Sequence, residues 1–176
     1  MVTERRCEMR RTIVASLLTF VLLGTFGLVA NAQMAKEGEG ICKTAMSWTM
    51  KAIPMGKERL HATFEVTGVV VEAPADSPLY NATFYALGSV HAIKGAYEES
   101  GFIRWTRPDG DQIFATYNVA GKMGGERKIS QTFVGGTGKC TGITGGTEMT
   151  GVRGLRPATE EIHMSVSVGK YHWKIP

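Results

Sequence analysis

The side chains with reactive potential are few and widely spaced. Two cysteines, Cys42 and Cys140, are the only thiols after residue 32. Neither has a histidine nearby in the chain, so a catalytic thiol finds no partner in sequence. In an oxidising compartment two readings stay open: a bridge, or two unpaired buried thiols. A bridge would close a loop of about 98 residues and contribute on the order of 4–5 kcal/mol. His61, His91, His163 and His172 stand in separate segments with no H-x-H or H-x3-H spacing, which gives no metal signature. Met46, Met50 and Met55 would suit Cu(I), but alternation along a strand already accounts for Met46 and Met50. No cofactor is expected. The carboxylate pairs Glu98-Glu99 and Glu160-Glu161 read as solvated strand ends.

The polar groups with an unusual setting are Gln131 and Tyr117. Gln131 lies between Ile129 and Phe133 on one face, so its amide is expected to be buried and to need a partner. Tyr117, on the face of Ile113 and Ala115, is the candidate, with a ligand as the other possibility. Both glutamines and tyrosines of this kind orient ligands in otherwise apolar sites.

These residues sit on segments that alternate with a period of two, the mark of half-buried strands. Met46, Trp48 and Met50 share a face; so do Leu60, Ala62, Phe64 and Val66; so do Ala82, Phe84, Ala86 and Val90. Ile103 and Trp105 begin a hairpin around Arg107-Pro108-Asp109-Gly110-Asp111, where proline presets φ and glycine accepts a positive one. Gly68 suggests a bulge. Gly95 to Ser100 reads as a polar connection, and Ile162, Met164, Val166 and Val168 as the inner face of the last strand. His61 and His163 alternate with Ser and Thr and read as exterior.

About eight strands joined by short connections predict an all-β fold: an eight-stranded antiparallel up-and-down β-barrel, lipocalin-like. A barrel of this size is either filled by side chains or holds one small ligand. The residues expected to line it are Met46, Trp48, Met50, Phe64, Phe84, Trp105, Tyr117, Gln131, Phe133 and Met164.

Residues 1–32 have another character. Arg5, Arg6, Arg10 and Arg11 precede an apolar run from Ile13 to Val29 that ends in Ala30-Asn31-Ala32. That order predicts a signal peptide cleaved after Ala32, a periplasmic or secreted protein, and no stable membrane span afterwards. An uncleaved anchor is the alternative, since the run nearly reaches the roughly 20 residues of a spanning helix. Residues 33–41 read as a flexible lead-in and 42–176 as the barrel domain. The 144 residues after the leader hold sixteen Lys/Arg against fourteen Asp/Glu, so the pI of 9.0 owes much to the leader. No basic run remains, and nucleic acid is not an expected partner.

One stretch is dense in glycine: Phe133-Val134-Gly135-Gly136-Thr137-Gly138-Lys139-Cys140-Thr141-Gly142-Ile143-Thr144-Gly145-Gly146-Thr147. It lacks the G-K-[ST] ending of a phosphate loop and reads as a tight corner between strands. Together with Gly110-Asp111-Gln112-Ile113-Phe114 and Gln131-Thr132 ahead of it, this GGTG-type series resembles the allene oxide cyclase and dirigent-like barrel superfamily. The resemblance covers roughly Gly101 to Gly151. It implies a lipocalin-like barrel, often trimeric, without metal or cofactor, holding apolar ligands in its mouth. No catalytic residue of that superfamily matches a position here. The functions that follow are an exported barrel binding a small apolar molecule, a cofactor-free isomerase or cyclase with Gln131, Tyr117 or Glu65 in its lumen, and a structural envelope protein acting through oligomerisation.

Overall fold

Alternating side chains make a sheet with one buried face, and a sheet of eight strands can bury that face by closing on itself. The structure, a computed structural model, describes residues 33–122, 127–159 and 162–176; the expected signal peptide lies outside them. The strands are β1 (Glu37–Pro54), β2 (Arg59–Glu72), β3 (Thr83–Ile93), β4 (Ala96–Thr106), β5 (Gln112–Lys122), β6 (Ile129–Gly136), β7 (Thr144–Thr159) and β8 (Ile162–Lys174), with one 3₁₀ turn at Gly138–Cys140. Each pairs antiparallel with the next, and β8 returns to β1. The up-and-down barrel is as expected, and closure gives every strand a neighbour on both sides, although the short β6 covers only part of β5 and of β7.

The barrel begins earlier than Cys42. β1 starts at Glu37, opposite Lys174 of β8. The residues before it are tied down too: the Ala35 N–H donates to the Asp76 carbonyl at 2.8 Å, and the Trp173 indole donates to the Ala35 carbonyl at 2.9 Å. Gly38 and Gly40 make this possible, because the rings of Trp173 and Tyr171 lie where their Cβ atoms would be. Gly68 plays the same part under Phe84, its direct cross-strand neighbour. The expected bulge is displaced from Gly68 to the far end of β2, where register shifts between Lys43 and Thr44.

One end of the barrel is plugged. The loop after β2, the β4–β5 turn and the glycine corner meet there, and Leu79, Cys140, Ile143 and Ile175 join Trp105, Ile113 and Trp173 in the buried core. The corner is latched to the β4–β5 turn by reciprocal bonds between Gln112 and Thr137, each 2.9 Å, and by the Lys139 N–H donating to Asp111 at 2.8 Å. Gly138 and Gly142 adopt φ of 52° and 74°, which side chains resist.

Two phase assignments differ from the sequence expectation. β4 starts at Ala96, because Lys94-Gly95 alone turns the chain, with φ of 49° and 80°. Positive φ at both positions gives the type I′ geometry that matches strand twist. The segment expected as a connection is therefore strand, and Glu99 continues the inward set of Ile103 and Trp105. In β8 the inward set is Ser165, Ser167, Tyr171 and Trp173, all buried; Met164, Val166 and Val168 alternate with them on the outside.

Thr44 and Ser167 face each other inside the wall, with their hydroxyl oxygens 2.7 Å apart. Thr44→Val strands the Ser167 hydroxyl and should cost about 1 kcal/mol in chemical unfolding. Adding Ser167→Ala should recover most of that loss.

Candidate functional site: a half-polar lumen

Above the plug the lumen stays open as a cavity of about 360 Å³, reaching the end of the barrel where Leu60, Tyr97 and Lys122 lie. Its wall has two characters. β1 to β4 supply Met46, Trp48, Phe64, Val66, Phe84 and Ile103, a mainly apolar surface that Glu99 of β4 interrupts. β5, β6 and β8 supply Tyr117, Gln131, Ser165 and Ser167, which Thr44 of β1 joins.

Eight of the ten residues expected to line the lumen do so: Met46, Trp48, Met50, Phe64, Phe84, Trp105, Tyr117 and Gln131. Phe133 points inward but is packed in the core outside the cavity wall. Met164 is not in the wall, because the phase of β8 puts Ser165 there instead. His163 shares that inward phase; opposite Trp48 in register, it stacks on the indole with ring centroids 4.1 Å apart. It is exposed, as expected, but on the inward phase of β8 and outside the cavity wall, whereas His61 sits outside beside His91, with ring centroids 6.1 Å apart. Glu65 is exposed and faces away from the lumen. Among the described residues no group of three or more His, Cys, Asp or Glu could hold a metal ion, and no helix is long and apolar enough to cross a membrane.

Glycines shape the middle of the cavity. Gly88 and Gly101 face each other across β3 and β4, and Tyr117 pairs with Gly101. A Cβ on Gly88 would meet the Tyr117 hydroxyl and the Phe64 ring, and one on Gly101 would meet the Tyr117 ring. The phenol therefore lies flat over two strands, with its hydroxyl inside the lumen.

That hydroxyl is associated with the carboxylate of Glu99, which is 7% exposed. Arg127 Nη2 donates to both Glu99 oxygens. Burial pushes the Glu99 carboxyl above its ordinary range, an effect that Arg127 and Tyr117 only partly offset. Burial and the neighbouring carboxylate push the Tyr117 phenol up as well. Glu99 and Arg127, with Thr44, Ser165 and Ser167, are the site residues that sequence reasoning missed. Counting back by twos from Trp105 through Ile103 and Gly101 reaches Glu99, and that was the available signal.

Gln131 is buried as anticipated, 8% exposed, and stands opposite Tyr117 in register. Its Oε1 nevertheless has no hydrogen-bond partner among the described residues, and the same holds for the Trp105 indole nitrogen. The two cysteines are free and buried, not bridged. Burial raises both thiols to about 11, so they are protonated at neutral pH and poor nucleophiles.

A scan against family models, a search of curated proteins and a search of solved structures each return no match for this chain. What the geometry establishes is a closed eight-stranded antiparallel barrel with a mixed apolar and polar lumen.

Proposed function

We propose that this protein is an exported β-barrel that binds one small, largely apolar molecule in its lumen. The observation that carries it is the cavity of about 360 Å³, within the range of roughly 300–1,000 Å³ typical of small-molecule sites. Its Met46, Trp48 and Phe64 wall suits a flat or flexible apolar ligand, since the thioether adapts and the rings present broad surfaces. The GGTG-type series supports an allene oxide cyclase-like or dirigent-like relationship, and the leader pattern of residues 1–32 supports export.

One observation favours a second reading. Glu99 and Tyr117 meet in a buried part of the mixed lumen, where burial raises the carboxyl despite Arg127, the arrangement used by a general acid or base. A cofactor-free isomerase moving a proton on the bound molecule would use them. One experiment addresses both readings: incubate the protein with a lipid and terpenoid extract in D2O, then record native mass spectra of the complex and the released molecule. A one-to-one adduct of unchanged mass supports binding, and deuterium gained only with active protein supports proton transfer. Absence of any adduct contradicts both.

A further inference from the structure

The uncharged polar groups of the lumen wall gather mainly on β5, β6 and β8, among Ile129 and Met149, and their placement says which ligands fit. Burying a polar group without a partner is costly, so a purely hydrocarbon-binding barrel has no use for amide and hydroxyl groups along one side. Here Gln131 Oε1 and the Trp105 indole N–H, in side chains 8% and 1% exposed, lack partners among the described residues. One is an acceptor and the other a donor. Ser165, buried opposite Met46 in register, and Tyr117, beside Gln131, carry the polar side further around the wall. The charges lining the cavity are balanced or exposed: Glu99 and Arg127 are paired through Nη2, with Arg127 Nε left without a partner among the described residues, and Lys122 stands exposed at the mouth.

Resting on the binding function proposed above, we infer that the lumen selects an uncharged, oxygenated molecule: an apolar skeleton against Met46, Trp48 and Phe64, with oxygens along the side of Gln131, Ser165 and Tyr117 and one at the floor, where Trp105 of β4 lies. Both atoms are shielded from the lumen in this conformation; with the side chains turned toward the ligand, a hydroxyl donates to Gln131 Oε1 and a carbonyl accepts from the Trp105 indole. The arrangement selects by pairing. A ligand lacking the oxygens leaves the wall unsatisfied, and such mismatches discriminate more strongly than a missing methylene does.

A matched decalin series tests this in titration calorimetry: the hydrocarbon, the alcohol, the ketone, the hydroxyketone and the carboxylate. The hydroxyketone should bind about tenfold or more tightly than the hydrocarbon, with the single-oxygen compounds between. Gln131→Met should bring the alcohol-to-hydrocarbon affinity ratio towards one, and Trp105→Phe should do the same for the ketone. Equal affinity for hydrocarbon and hydroxyketone overturns the selection while leaving the binding function standing. Tightest binding of the carboxylate overturns it in favour of Lys122 and Arg127. Binding by no member of the series removes the binding function and the selection together. Because the wild-type series is decisive alone, the outcome does not hang on either variant folding.

Discussion

Arg127→Ala should destabilise the barrel by about 2–3 kcal/mol at neutral pH, because it leaves the Glu99 carboxylate buried without its ion-pair partner. The figure lies at and below the lower end of the roughly 3–5 kcal/mol for buried pairs, since the arginine side chain is 35% exposed while the glutamate is 6%. The sign with pH follows from Glu99. Its folded pKa lies above the unfolded one because burial disfavours the anion. Between the two values the folded protein holds more protons than the unfolded chain, so stability falls as pH rises. Without Arg127 this raise grows. The variant should therefore match the wild type most closely below the ordinary glutamate value of 4.5 and lose ground as pH climbs. Urea unfolding across that window measures it. Glu99→Gln in the same chain should restore most of the neutral-pH loss, because a neutral amide needs no counter-charge. A pH-independent penalty, or no rescue, would mean that Arg127 acts through packing alone.

Gly145→Ala should be the most damaging single methyl in the corner, at about 3 kcal/mol or more. Two costs coincide there. Gly145 adopts φ of 115°, where a side chain is strained, and its Cβ would fall on the carbonyl oxygen of His172 in the neighbouring strand. Backbone of a closed barrel has little room to yield. Gly110 separates the costs, since it has φ of 89° but nothing within 4 Å of an added Cβ. Gly110→Ala should cost only about 1 kcal/mol. If thermal unfolding shows the two variants equally affected, close approach is not what requires glycine at the corner.

The strand count and the barrel could be read from period-two alternation, because in a closed sheet one face of every strand is buried. Eight lumen residues followed from that pattern. What failed was phase where both faces carry plausible candidates. In β8, Ile162, Met164, Val166 and Val168 are the apolar set, yet Tyr171 and Trp173 at the plugged end fix the opposite phase. Large aromatics at a floor outweigh small aliphatics beside a cavity, since only the floor is close-packed. Glu99 was missed for a related reason: a charged residue next to Glu98 looks solvated, and its partner Arg127 is 28 positions away in the chain. Long-range pairs of that kind leave no local trace. The glycine stretch was legible as a corner, while its role in latching the plug to Asp111 emerges only from the fold.

The central claim is that a small molecule occupies the lumen between a methionine and aromatic wall and a polar one. Methyl NMR of the protein labelled at methionine, titrated with the decalin hydroxyketone, tests it most directly. Met46 and Met50 line the cavity, Met164 lies outside its wall, and Met55 is exposed in the turn after β1. The structure predicts shifts and ligand contacts at the first two methyls and none at the last two. Contacts at Met164 with Met46 silent would contradict both the site and the inward phase of the serines in β8.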